Sequence, residues 1–380
     1  MKKLLGFLIL ALSLNAFSTE FNLNSAKNQV VNDNINIAIA YQNYVSVKSE
    51  SKAKALQLLP SISIDLLVSD YEYTILRSVI PEPSKFFTAK AGKDLAEAAD
   101  INRTIVKKNL LEDLEKTYFL YQFHQESLAS LKQELAIRTT IAERSQEAYD
   151  LGSISFTQYY SVQRDLVATR SNVVNANEIV KNDEFALKLI LQENNLSDFS
   201  LVTESLYNGS LDYPADVEAA MDVAVNNSKE IEQYDFLIAA AKNTKNGEAL
   251  SWLSWNGVGF DYFARVSIAK SEVAKVELQQ KKARIELKNQ VAAMYTEIAN
   301  QKEKIALQDQ LVQMAQDNYA KTAQNNNDQL ATVVTLKQAE LSLMNAQRDS
   351  RRMQYELELK FIKLKRILGT NMMTNVVPKA

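Results

Sequence analysis

The sequence predicts a mainly α fold with short β segments, built as two copies of one plan: a helix, a short apolar hairpin, then a very long helical hairpin. Three observations carry this. Glycine and proline number only eight and five in 380 residues, so turns are few and helix dominates. Landmark stretches recur along the chain at fixed offsets. The helical stretches carry apolar residues three and four apart in a stripe of about two positions in seven, narrower than the face a globular helix buries.

At the amino end, residues 1–18 combine Lys2 and Lys3, an apolar run Leu4–Leu14 and Ala-Phe-Ser at 16–18. This is the layout of a secretory signal, with cleavage expected after Ser18. The run falls short of the roughly 20 residues that a spanning helix needs. Loss of both lysines takes the formal charge from −3 to −5, which leaves no electrostatic footprint for nucleic acid. The chain has no cysteine, so an exported form draws its stability from packing or assembly and not from disulfides.

The first repeat is read over 19–208, the second over 209–372, with a tail at 373–380. Val30–Ile37 (VVNDNINI) resembles Ala224–Ile231 (AVNNSKEI), and Ala55–Ser63 resembles Ala249–Gly257, both at an offset of 194. Further on, Tyr118 matches Tyr295 and Leu191 matches Leu368, both at 177, so the second copy has lost 17 residues in between. The seam of the first hairpin runs through Tyr159, Val162, Leu166, Thr169, Val173, Ala176, Val180, Leu187 and Ile190, with Asp183 in the one gap. The matching positions are Leu343, Ala346, Ser350, Met353, Leu357, Leu364 and Ile367, with Lys360 opposite the gap. Asp183 and Lys360 are expected to meet across a repeat boundary and fix helix register, since polar groups in such seams select alignment.

The tips are local chemistry. Near 152–155, Gly152 supplies a positive φ, and Ser153 and Ser155 can cap the next helix; near 325–329, Asn325, Asn326, Asn327 and Asp328 do the same work. Sixty-odd helical residues span roughly 90 Å, far beyond an ordinary domain. The short apolar segments read as β-hairpins: about 61–80, where SISIDL alternates before Ser69-Asp70, and about 250–266, where LSWLSW precedes Asn256-Gly257. Four strands cannot close a barrel alone, whereas several chains together can.

At this point the chain resembles the TolC-like outer-membrane efflux proteins. The likeness is carried by the duplicated helix entry at Asn34–Ile37 and Asn227–Ile231, the LLPSISI junction at Leu58–Ile64, TYFLY and AMYTEI, AYDLGSIS at the first tip, and the terminal LKLIL and LKRILG. It covers nearly the whole mature chain. It implies a homotrimer whose repeats share an outer-membrane β-barrel continued by an α-helical periplasmic tunnel. It also implies a passive exit duct, for a tripartite efflux pump or a type I secretion system, that meets a periplasmic adaptor protein and an inner-membrane pump at its helical tips. The expected location is the outer membrane, with most of the chain in the periplasm. Candidate tip, gate and adaptor-contact residues are Tyr149, Gly152, Phe156, Asn325, Asn326, Asp328, Val334 and Lys337. Family channels often place carboxylates just after the second tip; here ATVVTLKQAEL has Val334 and Lys337 instead, and Asp328 is the only acidic candidate nearby.

The predicted strands are short for a barrel, which needs about 9–11 residues per tilted strand. The barrel is therefore expected to be reduced, and a periplasmic, barrel-deficient scaffold or adaptor-like partner of an export system is the alternative. Tyr71, Tyr73, Trp252, Trp255, Phe260, Tyr262 and Phe263 cluster in or beside the β segments and are assigned to the interface with outer-membrane lipid. His124 is the only histidine, so one chain assembles neither a His-based metal site nor a Ser-His-Asp arrangement. No phosphate-binding glycine loop occurs, and pairs such as Glu112 and Glu115 read as a solvated helix face. A conduit is expected, with no enzyme activity and no cofactor.

Overall fold

The computed structural model describes residues 20–59, 81–193, 200–206, 213–254, 259–328 and 332–369. Eight α-helices dominate them. The first repeat contributes α1 (Leu23–Asp33), α2 (Ile35–Leu56), α3 (Pro83–Asp150) and α4 (Phe156–Leu191). The second contributes α5 (Val217–Asn227), α6 (Lys229–Ala249), α7 (Tyr262–Asn327) and α8 (Val333–Ile367). A minimal parallel ladder joins β1 (Glu20–Phe21) to β2 (Ser200–Leu201). The long arms α3 and α7 have 68 and 66 residues, about 100 Å each.

The returning arms α4 and α8 have only 36 and 35 residues, so each covers about half of its long partner. The other half is covered by α2 and α6, of 22 and 21 residues. A pinned junction holds each stack end to end. The Asn34 side chain accepts from the Asn36 N–H at 2.9 Å, capping α2, while its Nδ2 donates to the Ile190 carbonyl at the end of α4 at 2.9 Å. In the second repeat Asn227 Nδ2 donates to the Leu368 carbonyl at 3.1 Å, and the Ser228 side chain caps α6. The duplicated asparagine entry is thus the joint between stacked helices.

The paired tyrosines are equivalent in space as well as in sequence. Tyr118 donates to the carbonyls of Phe21 and Val202 at 3.1 and 2.5 Å, and Tyr295 donates to that of Pro214 at 2.6 Å, each holding the segment that leads into its repeat. Leu191 and Leu368 are both buried, and the next residue closes each hairpin in the left-handed region: Gln192 at φ 57° and Gly369 at φ 64°. Crowding makes Gly369 the stricter of the two, because a Cβ there would lie 2.8 Å from Asn227 Cβ and 3.0 Å from its carbonyl oxygen. Gly369→Ala is expected to cost about 1–3 kcal/mol, read as a lowered thermal midpoint, with the loss centred on the α5–α8 junction in hydrogen exchange.

The α4 seam lies where the spacing places it. Leu166, Thr169, Val180 and Leu187 are buried and Tyr159, Val162, Val173, Ala176 and Ile190 half-buried, while most residues between them are exposed. The α8 arm departs from the narrow seam. It also buries Leu341, Tyr355, Phe361 and Ile362, because it lies between two helices, α7 of its own hairpin and α3 of the first repeat. The register pair also differs from expectation. Asp183 does not meet Lys360; it pairs with His124 of α3, and Lys360 Nζ donates to Glu297 of α7 at 2.8 Å. Each seam gap is satisfied within its own hairpin, since the facing arm already presents a partner at the same height.

The second β-hairpin is a correction. Over 250–266 the described residues form a 3₁₀ turn at Ser251–Leu253 and then the start of α7 at Tyr262. The alternation in LSWLSW is too short to distinguish strand from turn. The FARV segment continues into a helical period that buries Ala269 and Val273, so helix propagates back to Tyr262, whose hydroxyl donates to the Ala249 carbonyl at 2.8 Å. Asn256-Gly257 and Trp255 lie outside the described residues, as do the whole first hairpin at 61–80 with Tyr71 and Tyr73, and the signal segment 1–18.

Candidate functional site: the repeat boundary and the helix ends

The central helix of the array is α3. It packs against α2 and α4 of its own repeat and against α6 and α8 of the second. Its counterpart α7 has α6 and α8 as partners from its own repeat. The packing order therefore runs from α2 and α4 through α3 to α6 and α8 and then α7, with α4 and α7 on opposite sides.

The boundary between repeats is charged. Arg348 donates to Glu134 at 2.9 Å, and Arg351 grips Glu126 through two hydrogen bonds of 2.8 and 3.1 Å. Arg366 reaches Asn109 at 2.6 Å and Glu230 at 2.5 Å, so it ties α8 to α3 and α6 together. Burial opposes ionisation of Glu126, but hydrogen bonds from Arg351 and Tyr355 outweigh it and hold the carboxyl below its ordinary range. Glu134 is held down in the same way, by Arg138 and Arg348 against burial. Burial and then the Glu126 carboxylate push the Tyr355 hydroxyl well above the usual tyrosine value, so it stays a donor, at 2.7 Å. The deepest member of this boundary is Glu115 on α3, 0% exposed, paired with Lys27 of α1 and 3.6 Å from Lys365 of α8. The solvated-face reading of Glu112 and Glu115 is therefore corrected: Glu112 pairs with Lys116 and stands 3.9 Å from Arg366.

The two tips are chemically unlike. At the first, Gly152 takes φ 67° and Ser155 forms a capping box with Gln158. Tyr149 stacks on Tyr159 at 5.0 Å and approaches Phe156 at 6.2 Å, while Leu151, Phe156 and Tyr160 stand out into solvent. This makes an apolar knob. The second tip is polar: Asn325, Asn326 and Asn327 remain helical, Asp328 is the C-cap, and the Thr332 side chain caps α8. Val334 packs into a small core with Ile137, Ile141 and Leu341, and Lys337 donates to Glu340 at 2.7 Å. The structure thus groups Tyr149, Gly152 and Phe156 at one tip and Asn325, Asn326 and Asp328 at the other, and gives Val334 a packing role.

This arrangement matches known architectures. The chain superposes on the channel CusC with a TM-score of 0.74 at 12% identity, over 95% of this chain and 96% of that one. The outer membrane protein VceC from Vibrio cholerae matches at 0.70 and 12%, over 91% and 96%, and a membrane protein from Pseudomonas aeruginosa at 0.74 and 10%, over 93% and 92%. The fold is TolC-like. No family model and no curated protein sequence matches the chain.

Within the TolC-like frame, the far end of the wall is where the end of α2, the start of α3 and the start of α7 meet. Ser254 Oγ donates to Glu82 at 3.0 Å, and Gly247 packs closely enough that an added Cβ would lie 3.4 Å from Phe87 Cβ. Trp252, Phe260 and Phe263 are exposed there, and Tyr262 is half-buried on its Ala249 bond. Among the described residues no helix is long and apolar enough to cross a membrane, and no group of three or more His, Cys, Asp or Glu side chains is placed to hold a metal ion. Sequence reasoning missed the Glu115 cluster and the arginine ladder. Their signal was present in the α8 sequence, where Arg348, Arg351, Lys365 and Arg366 recur on the side away from the hairpin seam.

Proposed function

We propose that the chain is one wall segment of a ring-shaped outer-membrane exit duct, with its helices in the periplasm and the first-repeat segment at 61–80 contributing strands to a shared, reduced barrel. One observation carries this reading. Among the described residues, α3 is covered on one side by its own repeat and on the other by α6 and α8, whereas α7 packs substantially against its own repeat alone. By the internal symmetry, α2 and α4 of a neighbouring copy supply the missing cover for α7.

The exposed residues agree. Position 185 is equivalent to Ile362, which is fully buried at the repeat boundary, yet Phe185 is 54% exposed. Val167 is equivalent to Met344, and Met314 to Ile137, which lie together in one core cluster; Val167 and Met314 are 62% and 59% exposed. The repeat boundary inside the chain is charged, and its counterpart between copies is apolar. A ring of such segments encloses water between polar helix faces, which makes a passive conduit and not a catalyst.

The resemblance supplies three copies and the partners: a periplasmic adaptor protein and an inner-membrane pump, as in tripartite efflux or type I secretion. The apolar knob of Tyr149, Leu151 and Phe156 suits the adaptor contact, and Asn325, Asn326, Asp328 and Lys337 line the second tip beside it. The missing second hairpin favours the alternative of a barrel-deficient periplasmic scaffold. Planar-bilayer recording separates the two. The duct, extracted from outer membrane as a heat-sensitive oligomer, gives stepwise conductance; a protein that leaves with soluble periplasm and conducts nothing refutes the duct and leaves the scaffold.

A further inference from the structure

The linkers between helices set a limit on what the second repeat can do in a membrane. Between Ala249 at the end of α6 and Tyr262 at the start of α7 lie 12 residues, Leu250–Asp261, and three of them form a 3₁₀ turn. Two tilted crossing strands need about 18–22 residues before any turn. In the first repeat the corresponding stretch, Gln57–Glu82, has 26 residues, enough for two strands and a turn. Of these two linkers, only that of the first repeat is long enough to supply crossing strands.

What the second repeat presents at that end is apolar and aromatic. Phe260 is fully exposed (110%), Phe263 is 81% exposed and Trp252 56%, with Leu253, Leu56 and Phe86 exposed beside them. The group sits at the level where the first-repeat segment leaves the helices, fixed by the Ser254–Glu82 hydrogen bond and by the packing of α6 on α3. The counterpart of Phe263 in the first repeat, Phe86, stays 53% exposed although α6 packs on the start of α3, so the equivalent contact from a neighbouring copy leaves Phe263 accessible in the same way. Tryptophan and phenylalanine on a short, non-crossing turn suit the boundary between headgroups and acyl chains, where an indole keeps its N–H wet and buries its ring.

We propose that Trp252, Leu253, Phe260 and Phe263 form a lipid-interface anchor, so that the second repeat rests in the headgroup layer of a bilayer and does not cross it. This rests on the outer-membrane reading above. Each copy would then meet the membrane in two ways, through a crossing segment from the first repeat and a surface anchor from the second.

The chain contains two tryptophans, so Trp255→Phe leaves Trp252 as the sole reporter. The full mature chain carrying that change is added to phosphatidylcholine–phosphatidylethanolamine vesicles with bromine placed either near the headgroup end of the acyl chains or near the bilayer midplane. The expected result is strong quenching of Trp252 by shallow bromine and little by deep bromine. Phe260→Ser with Phe263→Ser should weaken partitioning of the second-repeat end, read as Trp252 quenching against lipid concentration, by about tenfold or more. Absence of quenching, strongest quenching from the midplane, or shallow quenching indifferent to both serines would each overturn the anchor. Conductance and oligomer size measured on the same preparations test the duct separately: a conducting ring with an unquenched Trp252 refutes the anchor alone, and a quenched Trp252 on a non-conducting single chain refutes the duct alone.

Discussion

Glu115→Leu is expected to be the most destabilising single change in the helical wall, at about 3–5 kcal/mol. The carboxylate is 0% exposed and is the shared counter-charge of Lys27 and Lys365, whose side chains are only 8% and 12% exposed. Its removal leaves two ammonium groups beside apolar neighbours such as Leu111, Leu114 and Ile362, with the buried Glu358 as a remaining counter-charge for Lys365. Burial already holds Lys365 below the ordinary lysine value despite the attraction of Glu115, so the cluster repays its desolvation incompletely. Its contribution is positional, because it links α1, α3 and α8 at one height. Combining Glu115→Leu with Lys27→Met and Lys365→Met should therefore recover part of the lost stability, since replacing buried charges together is often close to neutral, while Glu358 loses its Lys365 neighbour. Thermal and denaturant unfolding of the two variants decide the point. A Glu115→Leu loss under about 1 kcal/mol would show that the cluster is hydrated and dispensable, and a triple variant no better than the single would show that the cluster is a net stabiliser and not merely positional.

The difference between what could and could not be read from sequence has a physical pattern. Features fixed by neighbours a few residues apart were legible: the Gly152 turn, the Ser155 cap and the narrow α4 seam all follow from local geometry. The duplication was legible because it copies anchoring residues: Tyr118 and Tyr295 make matching hydrogen bonds, and the two bonds of Asn34 are shared in the second copy between Asn227 and Ser228. Features set by a third helix were hidden. One seam periodicity cannot report that α8 lies against both α7 and α3, so the burial of Tyr355 and Ile362 and the enclosure of Glu115 had no one-dimensional signature beyond the extra basic residues. The mispaired Asp183 and Lys360 have the same cause, since each faces the long arm of its own hairpin and not the other repeat. The second β-hairpin failed for another reason. Six alternating residues carry too little information against a 66-residue helix that can extend upstream into them.

Phe185→Glu is expected to abolish the ring while leaving the single chain folded. Its equivalent Ile362 is completely buried where α8 meets α3, so by the internal symmetry Phe185 is buried where α4 meets α7 of the next copy. A carboxylate there removes most of an aromatic side chain's transfer energy and adds an unpaired charge, about 3 kcal/mol or more at every copy-to-copy boundary. The midpoint concentration for assembly should rise more than about a hundredfold, seen by light scattering as a single chain at micromolar protein. Helix content and the thermal midpoint of the isolated chain should hold, because Phe185 lies outside the α3–α4 seam. Phe185→Leu should keep the ring. The absence of native cysteine permits a direct count of copies. Met344 packs against the Ile137 cluster inside the chain, so their equivalents Val167 and Met314 are expected to touch only between copies. A Val167→Cys, Met314→Cys double variant should oxidise to a ladder whose top rung gives the number of chains, three if the resemblance holds. Crosslinking confined to one chain, or Phe185→Glu rings of undiminished stability, would mean that the free flank of α7 is covered by something other than a second copy.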